Sequence, residues 1–247
     1  MPKDTAQSNQ DSSLVARRSS LGLEEARALV ASPLWPRIRA FLWNFASLCD
    51  PARLTAAAGG SGGAAPRSLD LLDAPRVAAS ALRALGVEPA FHSFPATDAS
   101  RLLLLSREDY DRLAQFLGVV ALAPALRRVA LGAEVRALKS ALSGVYPEAL
   151  AYAAYFRRFE ALFKRFEPAD QAANPAAVCS TGHSILAAAL SDLPPELLLR
   201  QRLRFPAGSP ADQALDASGS PLAGKALAAA KLALKLSNPQ EYTTCFS

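Results

Sequence analysis

The side chains in this sequence best suited to chemistry are a cysteine and a histidine spaced one helical turn apart. Cys179 and His183 stand at positions i and i+4, so on a helix they would share one face. A zinc site needs three or four ligands, but the only other histidine is His92, and Cys49 and Cys245 lie near opposite ends of the chain. A cysteine nucleophile would also need a placed Asn or Asp to orient its base, and the spacing shows none. We therefore interpret Cys179 as a small buried thiol and His183 as a residue at a helix start.

The glycine-rich stretch Gly59–Gly63 does not supply a phosphate-binding loop. Its sequence, GGSGG, lacks the Gly-Lys-Ser/Thr ending of such loops, and no apolar strand leads into it. The same five residues match the letters of the G-x-S-x-G nucleophile motif, but no apolar strand leads into them, so the sequence does not predict a nucleophile elbow. We predict a protein that is not an enzyme, with no catalytic residues, no cofactor and no metal.

Aromatic and basic side chains alternate through Tyr152–Phe166, a combination that can bind single-stranded nucleic acid when both kinds share one exposed surface. On a helical wheel they separate, with rings on one side and most cations on the other. This pattern is typical of a helix that turns its apolar face to the core. The side chains that we expect to face inward, here and in the preceding helices, are Leu113, Leu117, Leu138, Tyr155, Phe159 and Phe163.

The segment Leu105–Gly144 predicts a pair of helices and contains no catalytic group. Ser106 can cap the first helix, and Asp109 three residues later completes a capping-box pattern. Pro124 stands where the first turn of a second helix tolerates proline, and Gly144 can end the last one. The apolar stripes leave four basic side chains for solvent or a partner: Arg127, Arg128, Arg136 and Lys139.

Composition favours helices throughout the chain. Hydrophobic residues make up 51% of the sequence but aromatic ones only 7%, so the apolar content is mainly Ala and Leu, two strong helix formers. Sparse β-branched residues argue against a large sheet. We predict an all-α fold, a single irregular bundle of roughly eight to ten helices with flexible loops.

The chain divides into one helical domain with polar ends. We predict a disordered tail at 1–20, a helical domain at 21–237 and a C-terminal tail at 238–247. Two stretches rich in Gly, Pro, Ser and Ala predict flexible loops near 55–66 and 205–221. Helices expected after the central pair include Pro147–Phe166, Gly182–Ser191, Pro195–Arg204 and Ala223–Leu236.

Charge and cysteine content set broad limits on the protein's partners. Lys and Arg number 27 against 22 Asp and Glu, a net charge of +5, which permits contact with acidic proteins, anionic lipid or nucleic acid and requires none. Three cysteines without paired spacing favour a reducing cytosol. The N-terminus lacks the apolar core of a secretory signal, and no apolar run approaches the roughly 18–20 residues that span a bilayer. We expect no direct membrane insertion.

Three segments together resemble the SctK (YscK-type) family. The longest begins with LSRE at Leu105 and continues through RLAQFLGVVALAP, LRRV and GAEVRALKSALSG. The second, Gly182–Pro206, has a short apolar helix, a Leu-Pro and a basic helix that ends in proline. The third, Trp43–Leu54, is similar to an aromatic-x-aromatic segment before an "HP-x-RL" pattern, with Asp50 where histidine is common. Their order and spacing carry the resemblance.

The resemblance implies an accessory protein of the bacterial type III secretion sorting platform. Such a protein would be cytoplasmic and held at the inner membrane by protein partners. It would link the SctD-type protein of the inner-membrane ring to the SctQ-type C-ring protein, and through the latter to the SctL-type stalk and the ATPase.

Partner contacts are expected on basic helices, and a charge reversal there should weaken binding without unfolding the protein. From the residues alone, a solvated surface and a docking surface are equally open, and the resemblance favours docking. The residues proposed for the contact are Arg127, Arg128, Arg136, Arg200, Arg202 and Arg204. The alternative is a helical nucleic-acid-binding or regulatory protein, and a third hypothesis is an enzyme that uses Cys179.

Overall fold

The computed structural model describes residues 30–59, 75–88, 94–129, 132–142, 144–167, 174–216 and 221–246, and every regular element in these ranges is helical. The predicted all-α fold is thus confirmed, with more and shorter helices than the eight to ten expected. The predicted tail at 1–20 and the glycine-rich segment at 60–66 lie outside the described residues.

The helices are, in chain order, α1 (Trp35–Trp43), α2 (Pro51–Gly59), α3 (Pro75–Ala84), α4 (Asp98–Leu102), α5 (Arg107–Ala121), α6 (Ala123–Leu126), α7 (Gly132–Ala141), α8 (Tyr146–Tyr152), α9 (Glu160–Phe163), α10 (Pro175–Leu190), α11 (Pro195–Leu203), α12 (Pro210–Asp216), α13 (Ala223–Ser237) and α14 (Pro239–Phe246). Short 3₁₀ helices cover Phe45–Ser47 and Ala153–Phe159.

Helix α10 is the centre of the bundle. It packs against α5, α12 and α13, and α13 also contacts α5. The stretch from Ile185 to Leu190 is buried without interruption, because a helix that is apolar on all sides must be covered on all sides. Asn174 caps its first turn by accepting a hydrogen bond from the Ala177 amide at 2.8 Å, so this helix begins seven residues before the predicted start at Gly182.

Local signals in the central helices are confirmed. The Ser106 hydroxyl accepts a hydrogen bond from the Asp109 amide at 3.0 Å and starts α5 as predicted. Gly144 adopts a φ of 76° beyond the end of α7, a conformation that glycine takes without steric cost. The apolar stripe of α5 is buried in the core, including Leu113 and Leu117.

The single long helix predicted at Pro147–Phe166 is divided into three. Its middle, Ala153–Phe159, is 3₁₀, with α8 before it and α9 after it. A 3₁₀ helix has about 3.0 residues per turn, whereas the prediction assumed the 3.6 of an α-helix. Phe156 and Phe159 therefore share the buried face while Tyr155 is 66% exposed, and the predicted inward orientation of Tyr155 was wrong.

Two segments predicted as loop or tail are helical. Helix α12 lies within 205–221, where Gly208 and Ser209, taken as signs of a loop, form the turn that starts it. Helix α14 covers nearly all of 238–247, and the Asn238 side chain accepts a hydrogen bond from the Glu241 amide at 3.2 Å. In the predicted loop near 55–66, residues up to Gly59 belong to α2.

Candidate partner-binding surface

Three of the six arginines proposed for partner binding lie on the surface. Arg127 and Arg128 follow α6 and are exposed, and Arg136 is exposed on α7. Arg127 is also held in place, since its Nη2 donates to the carbonyl oxygen of Leu150 at 3.2 Å. Among the described residues none of the three has a carboxylate within ion-pair distance, so their charge remains available to a partner.

Arg200 is only 2% exposed, and the expectation that it faces a partner was wrong. Its Nη1 donates to the carbonyl oxygens of Phe41 and Leu42, both at 3.1 Å. Its Nη2 donates to the carbonyl of Glu88 at 2.8 Å. Carbonyls in the last turn of a helix have no intrahelical partner, and Arg200 supplies one at the end of α1.

Arg204 is 4% exposed and serves a similar internal role, which again corrects the prediction. Its Nη2 donates to the Leu105 carbonyl at 2.6 Å, and its Nη1 donates to the Leu103 carbonyl at 2.7 Å. Burial lowers the pKa of Arg204 to about 10, so the guanidinium remains charged at neutral pH. Reversing the charge at Arg200 or Arg204 would therefore disrupt the core rather than only a surface.

Arg202 points away from these two and joins α11 to α12. Its Nε donates to Asp212 Oδ1 at 2.6 Å, and its Nη1 contacts Asp216. Arg53 Nη2 also forms an ion pair with Asp212 Oδ1 at 2.5 Å, and the Gly208 amide donates to Asp212 Oδ2 at 2.7 Å. Burial alone would raise the pKa of Asp212, but these donors hold it below its usual value. Arg202 is thus committed to an ion-pair network within the protein.

Cys179 and His183 do share a helix, yet their side chains do not form a dyad. His183 Nδ1 lies 2.8 Å from the backbone carbonyl oxygen of Cys179, and its Nε2 lies 3.0 Å from Asp111 Oδ1. Burial, and then the charge of Asp111, raises the pKa of the Cys179 thiol. A protonated thiol is a poor nucleophile, so the arrangement fixes α10 to α5 and does not activate sulfur. The partner Asp111 was not predicted from the sequence.

No group of three or more His, Cys, Asp or Glu side chains among the described residues could hold a metal ion. His92 lies outside the part of the chain that is described. Within the same part, no helix is both long and apolar enough to span a bilayer.

The aromatic side chains between α8 and α9 do not form a stacking surface for nucleic acid. Phe156, Phe159 and Phe163 are at most 7% exposed, and their rings pack on one another with centroids 6.0–6.3 Å apart. Bases stack on exposed rings, and these three rings are buried. The neighbouring Tyr155 is exposed, but one ring does not make a stacking surface.

The described residues thus form a helical bundle that buries Arg200 and Arg204 and leaves other cations, including Arg127, Arg128 and Arg136, on its surface. Comparison with family models adds the family. The model described as YOP proteins translocation protein K (YscK) matches residues 70–247, and the chain belongs to this family. The family is one of type III secretion proteins, with accessory and structural roles, and is not a known enzyme family. No curated protein and no solved structure gives a significant match to the chain.

Proposed function

We propose that this protein is a non-enzymatic cytoplasmic adaptor of a type III secretion system. It would link the SctD-type protein of the inner-membrane ring to the SctQ-type protein of the sorting-platform pods, and through them to the SctL-type stalk and the ATPase. It would be peripheral at the cytoplasmic face of the inner membrane, held there by these partners. The observation that carries the proposal is the family match over residues 70–247.

The internal arginine contacts support a rigid adaptor. Arg200 joins α11 to carbonyls in the last turn of α1, and Arg204 joins it to the chain after α4. An adaptor that holds two partners in register needs helices that do not shift against one another, because ordering them on binding would cost affinity. The buried arginines thus contribute to function through the fold.

The proposed docking residues are now the exposed arginines Arg127, Arg128 and Arg136. Arginine is enriched in protein interfaces, where its planar guanidinium can bind carboxylates with two hydrogen bonds. Because these side chains support no contact in the core, reversing their charges should alter binding and leave the fold intact.

Co-purification tests this function. A tagged wild-type chain should capture SctQ-type and SctD-type components, and deletion of its gene should abolish secretion while the membrane rings still assemble. Arg127→Glu with Arg136→Glu should weaken capture, with unchanged circular dichroism as the folding control. If the wild-type chain bound neither component and instead retained duplex DNA at physiological salt, the adaptor function would be wrong and the nucleic-acid alternative would replace it.

A further inference from the structure

A groove of about 360 Å³ lies between the α5–α6 corner and the 3₁₀ segment that follows α8. Its floor is apolar, formed by Val120, Ala123, Phe156 and Phe163, all less than 9% exposed. Arg127 and Arg157 stand at its rim. The sequence prediction did not identify this groove, because it treated 147–166 as one regular helix.

The 3₁₀ segment Ala153–Phe159 forms part of one wall of the groove. In a 3₁₀ helix the side chains at i and i+3 eclipse, so Ala154 and Arg157 lie in one row, and both line the groove together with Glu160 at the start of α9. The same register places Phe156 and Phe159 in the core. Over three residues a regular α-helix turns through about 300° instead of the full 360°, so Arg157 would be offset from Ala154 by about 60°.

The charges of the rim favour an acidic occupant. Neither Arg127 nor Arg157 has a carboxylate partner among the described residues, and the Leu150 carbonyl already positions the Arg127 guanidinium. Glu160 is paired instead with Lys164, at 2.9 Å. Two unpaired guanidinium groups above an apolar floor are complementary to a segment that carries both carboxylates and aliphatic side chains.

The same features argue against a polyanion. Glu160 and Glu167 line the groove and would repel the closely spaced phosphates of a nucleic acid or of an anionic membrane, whereas a peptide can place single carboxylates at Arg127 and Arg157 and apolar side chains elsewhere. An apolar floor also offers nothing to a phosphate. We propose that this groove is a docking site for an acidic amphipathic segment of a protein partner, an inference that rests on the adaptor function proposed above.

Binding measurements with purified SctQ-type and SctD-type components test the site. Arg127→Glu with Arg157→Glu should weaken the affinity for one component by about tenfold or more, most strongly at low salt. Ala154→Trp should weaken the affinity for the same component without a change of charge, because Ala154 is exposed and lines the groove. A loss of affinity for the same component in both variants, with unchanged circular dichroism, supports the proposal.

Matched variants outside the groove serve as controls. Arg39→Glu with Lys225→Glu makes the same change of charge at two exposed positions, and Ala228→Trp adds the same ring to an exposed face of α13. These controls should bind as the wild type does. If the groove variants matched their controls while the wild type bound its partners, the groove proposal would be wrong and the adaptor function would stand. If the wild type captured neither component, both the groove proposal and the adaptor function would be wrong.

Photo-crosslinking identifies the occupant. A benzoylphenylalanine introduced at Ala154 in the secreting cell should attach to one peptide of a secretion component, in which Asp or Glu flank apolar residues. An adduct with a basic peptide, a phospholipid or a nucleic acid would overturn the proposal, as would the absence of any adduct from a variant that still supports secretion.

Discussion

The backbone carbonyl of Ala114 occupies the space that a side chain on Gly182 would need. A Cβ built on Gly182 overlaps this carbonyl, and one built on Gly118 overlaps the carbonyl of Val178. The relationship is reciprocal, because each helix places a glycine opposite the backbone of the other where α5 crosses α10. The two central helices therefore approach at backbone distance, which only glycine permits.

Gly182→Ala should destabilise the protein by about 1–3 kcal/mol or more, because backbone atoms cannot yield as a flexible side chain can. The measurement is the free energy of unfolding from urea titration. Gly224→Ala is the control, since a Cβ there meets nothing within 4 Å. Alanine at that helical position should be neutral or should stabilise by up to about 1 kcal/mol. Equal effects of the two substitutions would contradict the close crossing.

Arg204→Met should strongly destabilise the protein. The substitution leaves the carbonyls of Leu103 and Leu105 buried without donors, and each such group costs about 1–3 kcal/mol. Chemical denaturation should thus show a loss of several kcal/mol. Arg39→Met, at an exposed position, should change stability by less than about 0.5 kcal/mol. A variant at Arg204 as stable as wild type would place that guanidinium in solvent.

Two neighbouring aromatic positions test the 3₁₀ register. Phe159→Ala should cost about 3–5 kcal/mol, because it empties a buried site. Tyr155→Ala should cost only a few tenths of a kcal/mol, because the ring is 66% exposed. Thermal melts of both variants under one condition distinguish the registers, since a regular α-helix with Tyr155 inward would make its replacement costly as well.

The three thiols should react slowly with iodoacetamide at pH 8. Burial, and then the charge of Asp50, raises the pKa of Cys49 to about 12, and burial with Glu241 raises that of Cys245 to about 11. Only the thiolate reacts, so Cys179, the least buried, should be labelled first. In denaturant all three should react at the rate of a free thiol, and rapid labelling of native Cys49 would contradict its burial.

The same shifts predict a loss of stability at alkaline pH. A group whose pKa is raised in the folded state contributes stability below its unfolded value, near 8.5 for cysteine, and loses it as the pH rises through the folded value. Urea midpoints measured from pH 8 to pH 10 should therefore fall. The urea midpoint of the Cys49→Ala variant should fall less steeply over this pH range, whatever the stability of the variant at pH 8.

The sequence predicted the start of α5 and the end of α7 because those signals are local. The Ser106 cap and the positive φ of Gly144 depend on residues within a turn of each other. The all-α class followed from composition, since Ala and Leu favour helix wherever they stand. Helix α12 was not predicted because Gly, Ser and Pro are as common in loops as at helix starts. The ion pair of Asp212 with Arg53 joins residues that are distant in the sequence, so it forms only in the folded chain.

For the candidate site, the sequence identified the arginines but could not predict whether each side chain faces the solvent or the core. Arg200 lies on α11 and Arg204 follows the end of that helix, four residues later, and this spacing is the same whether the facing atoms belong to water, a partner or the core. The Leu103 carbonyl that binds Arg204 is 101 residues away in the chain, so tertiary structure alone turns that charge inward. The groove beside Arg157 also depends on the fold, because one wall comes from α5 and α6 and the other from the 3₁₀ segment and α9, which meet only in the folded chain.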